Sequence, residues 1–410
     1  MDVTAEGRAA RIPVRDWARA IGLLVLILIP MFIWRYRWRV PIDLAVYRAG
    51  GSAVLHGKTL YGAAFGGNTL PVRRPFTYPP FSAIAFISLA VLPWIVAAVA
   101  WFFASLGSLV YIVKESFAPF LRRFDRRRSL YALVCIIGLL AWTVPITDTL
   151  WFSQINLILA ALVLTDCLRA RKRQGVLVGL ATALKITPGL FIVYFLITRQ
   201  KRAALRAMAT VAACWGGAAI LLPAASREYW SHAVFKVGRP GPLAFFSNQT
   251  INGFVHRLNG PHWLWIPLGV VVAAVGLWRA RAAHRSGNAL AAVVLVGLTM
   301  LIVAPISWLA SAVWIAPAIG LILGDATQRR RVIAAGSVLV LFWARLPMLG
   351  DKIVRVHPIP FLGSALENAY VFLLLLLVLL LPHTDAPKSS LDGSPREGSN
   401  QRRILSGKTT

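Results

Sequence analysis

Apolar residues run along this chain in long blocks, separated by short clusters of charge. An α-helix that crosses a hydrocarbon layer needs roughly twenty such residues, nearly free of charge. The pattern predicts a first helix over 17–34, followed by a polar stretch over 35–80. Within that stretch, 42–55 carries apolar residues at helical spacing and reads as a helix lying flat on a membrane surface. Gly-Gly pairs at 50–51 and 66–67 read as punctuation in it. The block 81–92, opened by Pro79-Pro80, is too short for a full span and reads as re-entrant. A full span follows over 94–113, then a pair over 130–145 and 155–168. Their connection holds Thr147, Asp148, Trp151, Gln154 and Asn156 and reads as an outer loop. Segment 175–198 is interrupted by Lys185-Ile186-Thr187-Pro188, which predicts two short helices that rise and return with Lys185 near the turn. A span over 204–222 leads to a second polar stretch, 223–262. After it, spans near 263–279, 289–304, 309–323, 332–346 and 367–382 alternate regularly.

Charge then sets the orientation. Arg122, Arg123 and Arg126–Arg128, then Arg169, Arg171, Lys172 and Arg173, then Arg279, Arg281 and Arg285, and finally Arg329–Arg331 mark inner loops. The fold class expected is therefore an all-α integral membrane protein of about twelve transmembrane helices, both termini inside, with two long extracytoplasmic loops at 35–80 and 223–262. Residues 1–16 form a cytoplasmic N-terminus and 17–382 the membrane domain. The polar tail 383–410 reads as cytoplasmic and disordered. The first helix reads as uncleaved, because no small-residue cleavage pattern follows it.

Composition agrees. The chain is 58% hydrophobic and 14% charged, too little charge to cover a soluble protein of 410 residues. The alternating ten-residue strands of an outer-membrane barrel are absent. The net charge of +29 does not point to nucleic acid, because Lys and Arg fall in short runs between apolar blocks. Cys135, Cys167 and Cys214 lie in or at the ends of apolar blocks, without the spacing of a zinc site or a disulfide framework.

Asp43 is the first candidate for chemistry. It is the only acidic residue between Asp16 and Glu115, and it sits just after the first span. A carboxylate shielded from water can take a proton from a hydroxyl nucleophile. The plainer alternative is an interfacial ion pair with Arg48 or Arg39. Lys185 is the second candidate. A lysine in an apolar, Pro-broken block is costly unless it has a partner, and a broken helix end adds backbone N–H groups to hold a phosphate. Its plainer alternative is snorkelling to the interface. The second outer stretch mixes aromatic residues with His232, Lys236, Arg239, Asn248, Gln249, Asn252, His256 and Arg257, a set suited to sugar hydroxyls and phosphate. Neither polar stretch contains an Asp-x-Asp or Asp-x-Glu pair, so neither a metal-held nucleotide sugar nor any metal or cofactor is expected.

Seven short motifs occur in order: Ile42-Asp43-Leu44-x-Val46-Tyr47, Tyr78-Pro79-Pro80-Phe81, Gln154-x-Asn156, Leu184-Lys185-x-Thr187-Pro188, Tyr229-Trp230, Asn248-Gln249-Thr250 and Pro305-x-Ser307-Trp308. Together, over about residues 20 to 380, they resemble glycosyltransferase family 87, multi-spanning enzymes of the GT-C fold in actinobacterial envelopes. Within it the chain is most similar to polyprenol-phosphate-mannose-dependent α-(1→2)-mannosyltransferases. The resemblance implies a lipid-phosphate sugar donor at the outer leaflet of the plasma membrane, a glycolipid or lipoglycan acceptor, and single inverting displacement, with Asp43 as the base. Position makes Lys185, Arg73, Arg257 and Tyr78 candidates for the donor phosphate, and Asn248, Gln249, Gln154, Asn156 and Trp308 candidates for sugar or acceptor. One departure stands out: where many members carry a His pair after the Ser-Trp motif, Leu309, Ala310 and Ser311 stand here. The alternatives are an arabinofuranosyltransferase using decaprenyl-phosphate-arabinose, a lipid or solute transporter, and an inactive scaffold.

Overall fold

The structure, a computed structural model, describes residues 12–36, 41–62, 65–66, 74–170, 172–356 and 360–382. Arg73, Arg39, residues 1–11 of the predicted cytoplasmic N-terminus 1–16, and the whole tail 383–410 lie outside the described residues. Among the described residues all regular structure is helical, apart from one isolated bridge between Asn248 and Trp308. Among the described residues three helices are long and apolar enough to cross a membrane singly: Trp94–Ser116, Lys201–Leu221 and His262–Arg285. Three further pairs reach that length only with a sharp bend, Arg126–Ala141 with Val144–Phe152 by 84° among them.

The centre of the molecule is the helix Ala289–Val303, buried without interruption from Ala291 to Ile302. A helix apolar on every side packs only if neighbours surround it, and two glycines let them come close. A Cβ on Gly297 would lie 2.2 Å from the Trp314 ring, and one on Gly276 would lie 2.0 Å from the Thr299 hydroxyl. Asn288 caps the helix by accepting the Ala291 N–H.

At one end of the molecule, charge and capping tie the arginine-rich loops together. Asp16, almost wholly buried, meets Arg127 at 3.3 Å and joins the helix Val14–Tyr36 to Arg126–Ala141. Arg169 bridges to Glu115 at 2.9 Å, and Arg123 donates to the Asp325 carbonyl. Asp166 accepts the N–H groups of Gly175 and Val178 and so starts the helix Val176–Leu184. The helices Asn156–Leu168 and Val176–Leu184 run from this end in opposite senses along the chain. Both therefore deliver their other ends, Asn156 and Leu184, to the far side, about 15–20 Å away at 1.5 Å per residue.

Several expectations change here. The helix Ile42–Leu55 has the expected bounds but does not lie on a surface: Leu44, Ala45, Val46, Tyr47, Gly50, Gly51 and Ala53 are buried. Gly50-Gly51 does not break it. Instead Gly51 admits the Phe86 backbone, whose carbonyl oxygen would sit 2.4 Å from a Cβ, and Gly50 admits the Phe76 ring. The block 81–92 is two short helices, Pro80–Ala85 and Ile87–Ala90, hinged at Phe86. Thr147, Asp148 and Trp151 are not in a loop but in the buried helix Val144–Phe152. The second polar stretch contains the helices Pro223–Ser231 and Ile251–Arg257. Leu346–Val356 and Pro360–Glu367 form a packed pair whose close approach rests on Gly350 and Gly363.

Candidate active site

The site is assembled where three chain breaks meet. Pro41 opens the helix Ile42–Leu55 and places Asp43 in its first turn. Ser153, in the left-handed region (φ 59°), ends the helix Val144–Phe152 and turns Gln154 back. Lys185, extended (φ −150°, ψ 121°), separates Val176–Leu184 from the 3₁₀ turn Thr187–Gly189. That last break is held from two sides, since Ser82 donates to the Leu184 carbonyl (2.6 Å) and Trp215 to the Ala183 carbonyl (3.3 Å).

A continuous chain of hydrogen bonds joins the two charges. Lys185 Nζ donates to Asn156 Oδ1 at 2.8 Å, Asn156 Nδ2 to Gln154 Oε1 at 2.9 Å, and Gln154 Nε2 to Asp43 Oδ2 at 3.0 Å. Every link runs from cation toward carboxylate, so the amide dipoles align and reinforce one another. Asn156 also donates to the Ala310 carbonyl at 3.0 Å, which accepts from Thr149 as well. This anchors the chain to the turn after Trp308, where the sequence departs from the family pattern.

Asp43 is half-buried and its carboxylate is densely surrounded, so the loss of water pushes its pKa up to about 6. The Gln154 hydrogen bond and the positive charges of Lys185 and Arg74 act against that rise. Lys185, in the break and outside either flanking helix, is drawn down to about 8 by burial, with Asp43 opposing. An ion pair of Asp43 with Arg48 does not form. Arg48 instead donates to the carbonyls of Leu89 and Leu92 and lies over Trp94.

Tyr47, one turn after Asp43 on the same helix, anchors that helix to its neighbours. Its hydroxyl accepts the Ile155 N–H at 3.2 Å and lies 3.0 Å from the Tyr78 hydroxyl, and its ring stacks on Phe86. Tyr78 is thus placed beside Asp43 through Tyr47. Tyr61 donates to the Tyr78 carbonyl, while Arg239 of the second polar stretch donates to the Phe76 carbonyl and covers the Tyr61 ring. The sequence motif contains Tyr47 without assigning it a role, and Arg74 lies outside every motif. The i, i+4 spacing of Asp43 and Tyr47 on one helix face was the available signal.

The remaining sequence candidates form a second cluster, bonded mainly to backbone groups. Asn248 is buried, donates to the Leu243 carbonyl and accepts from Ser307 N–H and the Thr250 hydroxyl. Gln249 donates to the Phe246 and Glu367 carbonyls and accepts from Val371 N–H. Arg257 donates to Asn368 and to the Phe245 and Asn248 carbonyls. Trp308 pairs with Asn248 and packs edge-on against Phe245. These side chains tie the second polar stretch to the turn at 305–308 and to the start of the helix Ala369–Leu380.

Below Lys185 a small cavity of about 30 Å³ opens, enough for one or two waters. Asn156, Lys185, Ser307 and Ser311 give it a polar mouth, and Leu159, Val163, Phe191, Met300 and Trp314 give it an apolar floor. Among the described residues no three His, Cys, Asp or Glu side chains come together as a metal site.

Helix breaks thus converge on one half-buried carboxylate and one lysine, a pair whose chemistry suits a base and a cation. The chain belongs to glycosyltransferase family 87, whose family model matches residues 76–305. It is 33% identical over 374 residues to a polyprenol-phosphate-mannose-dependent α-(1-2)-phosphatidylinositol mannoside mannosyltransferase of Mycobacterium tuberculosis, covering 86% of this chain and 84% of that protein. It is also 33% identical to the protein of that name from Mycolicibacterium smegmatis, covering 83% of each. A pentamannoside mannosyltransferase of Mycobacterium tuberculosis is 30% identical, covering 84% of this chain and 81% of that protein. No solved structure matches the chain.

Proposed function

We propose that this protein transfers mannose from a polyprenyl-phosphate donor to a phosphatidylinositol mannoside, forming an α-(1→2) linkage. The observation that carries the reading is the hydrogen-bonded chain from Lys185 through Asn156 and Gln154 to Asp43. The names of the relatives favour mannose over arabinose.

In the step itself, Asp43 takes the proton of an acceptor hydroxyl as its oxygen attacks the anomeric carbon. The bond from that carbon to the phosphate oxygen breaks, and polyprenyl phosphate leaves with the electron pair, inverting the anomeric centre. Lys185, at the polar mouth of the small cavity, supplies positive charge to the departing phosphate, and Arg74 adds to the field at Asp43. No metal takes part. The reaction sits at the outer face of the plasma membrane, in a chain that crosses it about twelve times, several times as half-helices. Gln154 and Asn156, first read as sugar-binding groups, act in this scheme as positioning residues that hold Asp43 in the field of Lys185.

The test is a transfer assay with purified protein, polyprenyl-phosphate-mannose and polyprenyl-phosphate-arabinose side by side, and phosphatidylinositol mannosides as acceptors. Asp43→Asn should lower mannose transfer roughly 100- to 10,000-fold while leaving the melting temperature within a few degrees of wild type. Near-normal transfer by Asp43→Asn removes Asp43 as the base. Arabinose incorporation in place of mannose keeps the mechanism and overturns the donor.

A further inference from the structure

At the end of the molecule opposite Asp43, two segments enclose a concavity of about 720 Å³. Lys172 and Gln174 line it from one side; Arg199, Gln200, Lys201, Arg202 and Arg206 line it from the other. Five cations face one space, and no acid lines it. Among the described residues none of the five forms an ion pair. The other basic clusters at this end differ. Arg127 has Asp16, Arg128 has Asp125, Arg169 has Glu115, Arg123 has the Asp325 carbonyl, and Arg331 has the Leu321 and Ile322 carbonyls. Orientation by charge alone asks only that cations stand on this side. It does not ask that five of them be gathered in a hollow without a counter-charge.

The hollow is also built rather than accidental. Its two walls are pressed together where Gly175 meets Ala203: a Cβ on Gly175 would lie 2.0 Å from the Ala203 carbonyl oxygen. Asp166 holds the Gly175 turn from behind with both carboxylate oxygens. The helix Lys201–Leu221 begins in the far wall with no side-chain cap, so the positive end of its dipole opens toward the same space.

We infer that this hollow binds a phosphate-bearing anion, with the headgroup of an anionic phospholipid in the adjacent leaflet as its first source and a soluble polyphosphate as the other. The inference is independent of the transfer reaction, since Lys185 lies at the other end of the helix Val176–Leu184 and none of the five cations touches the site. Cations between membrane helices near the headgroup level are suited to such lipids.

The experiment uses detergent-solubilised full-length protein. Its melting temperature is followed in micelles with phosphatidylcholine alone, with added phosphatidylglycerol, and with pyrophosphate in place of the anionic lipid. Phosphatidylglycerol should raise the melting temperature by several degrees, and added salt should shrink the rise. Arg199→Gln/Lys201→Gln/Arg206→Gln should lose most of the rise, while Arg329→Gln/Arg330→Gln, elsewhere on the same end, should keep it. A rise with pyrophosphate that the triple variant abolishes keeps the site and assigns it to a soluble anion. An undiminished rise in the triple variant overturns the proposal, as does an equal loss in both variants. If the triple variant melts early in phosphatidylcholine, native mass spectrometry of the wild-type protein decides: retention of phosphatidylglycerol over phosphatidylcholine supports the site, and equal retention overturns it.

Discussion

At the scale of single residues, the site sets one carboxylate and one ammonium apart and wires them together. Burial moves both toward neutrality, Asp43 up to about 6 and Lys185 down to about 8. Transfer needs Asp43 ionised and Lys185 protonated, so the rate should rise with pH through about 6 and fall through about 8, the two limbs belonging to the coupled pair. Gln154 donates to the ionised form of Asp43 and favours it. Gln154→Leu should therefore move the acidic limb upward, and its lost activity should return in part at higher pH. A merely structural role for Gln154 predicts a uniform loss at every pH, and a pH–rate profile of the variant separates the two. Lys185→Met should move the acidic limb upward too, and remove the basic limb. Asp43 and Lys185 were legible in the sequence because an isolated charge in an apolar block is costly and stands out. Asn248 and Gln249 were legible only as polar groups. In irregular backbone, carbonyls and N–H groups lack ladder partners, and here these two amides fill that need.

At the scale of elements, helix breaks rather than helices make the site, and the breaks differed in how clearly they could be read. Lys185-Ile186-Thr187-Pro188 announced itself, because Pro cannot continue a helix. The 84° bend before Val144–Phe152 did not. Its Thr143, Thr147 and Thr149 look like loop residues, yet each hydroxyl donates to a carbonyl and is satisfied inside the protein. Gly50-Gly51 misled for a related reason. Glycine marks a turn or a close contact, and only the partner decides which. The helix carrying Asp43 is positioned by that contact. Gly51→Ala should destabilise the protein by roughly 3 kcal/mol or more, because the Cβ meets Phe86 backbone that cannot step aside. Gly107→Ala, in the helix Trp94–Ser116 with open space around it, should instead stabilise by up to about 1 kcal/mol. Thermal melts of the two variants in one detergent check the contrast, and equal behaviour would remove the Phe86 contact as the element that seats Asp43.

At the scale of the whole molecule, the two ends do different work. One end gathers the arginine-rich loops through Asp16, Glu115 and Asp166, together with the cations around Arg199. The other gathers Asp43, Lys185 and both long polar stretches, with Arg239 clamping the second onto the first. The orientation proposed from the Arg and Lys clusters places the second end outside, where a lipid-linked sugar is presented. Single cysteines test it in a background with Cys135, Cys167 and Cys214 replaced by alanine. A membrane-impermeant maleimide applied to intact cells should label Lys58→Cys and Lys236→Cys, both exposed and one in each polar stretch, and should label Arg330→Cys only after lysis. Labelling of Arg330→Cys in intact cells, with the other two protected, would invert the protein. It would put Asp43 on the cytoplasmic side, where the proposed donor and acceptor would have to be presented instead. Labelling of only one of the two outer positions would mean that the polar stretches do not share a face, and the Arg239 contact between them would then fail with the shared site.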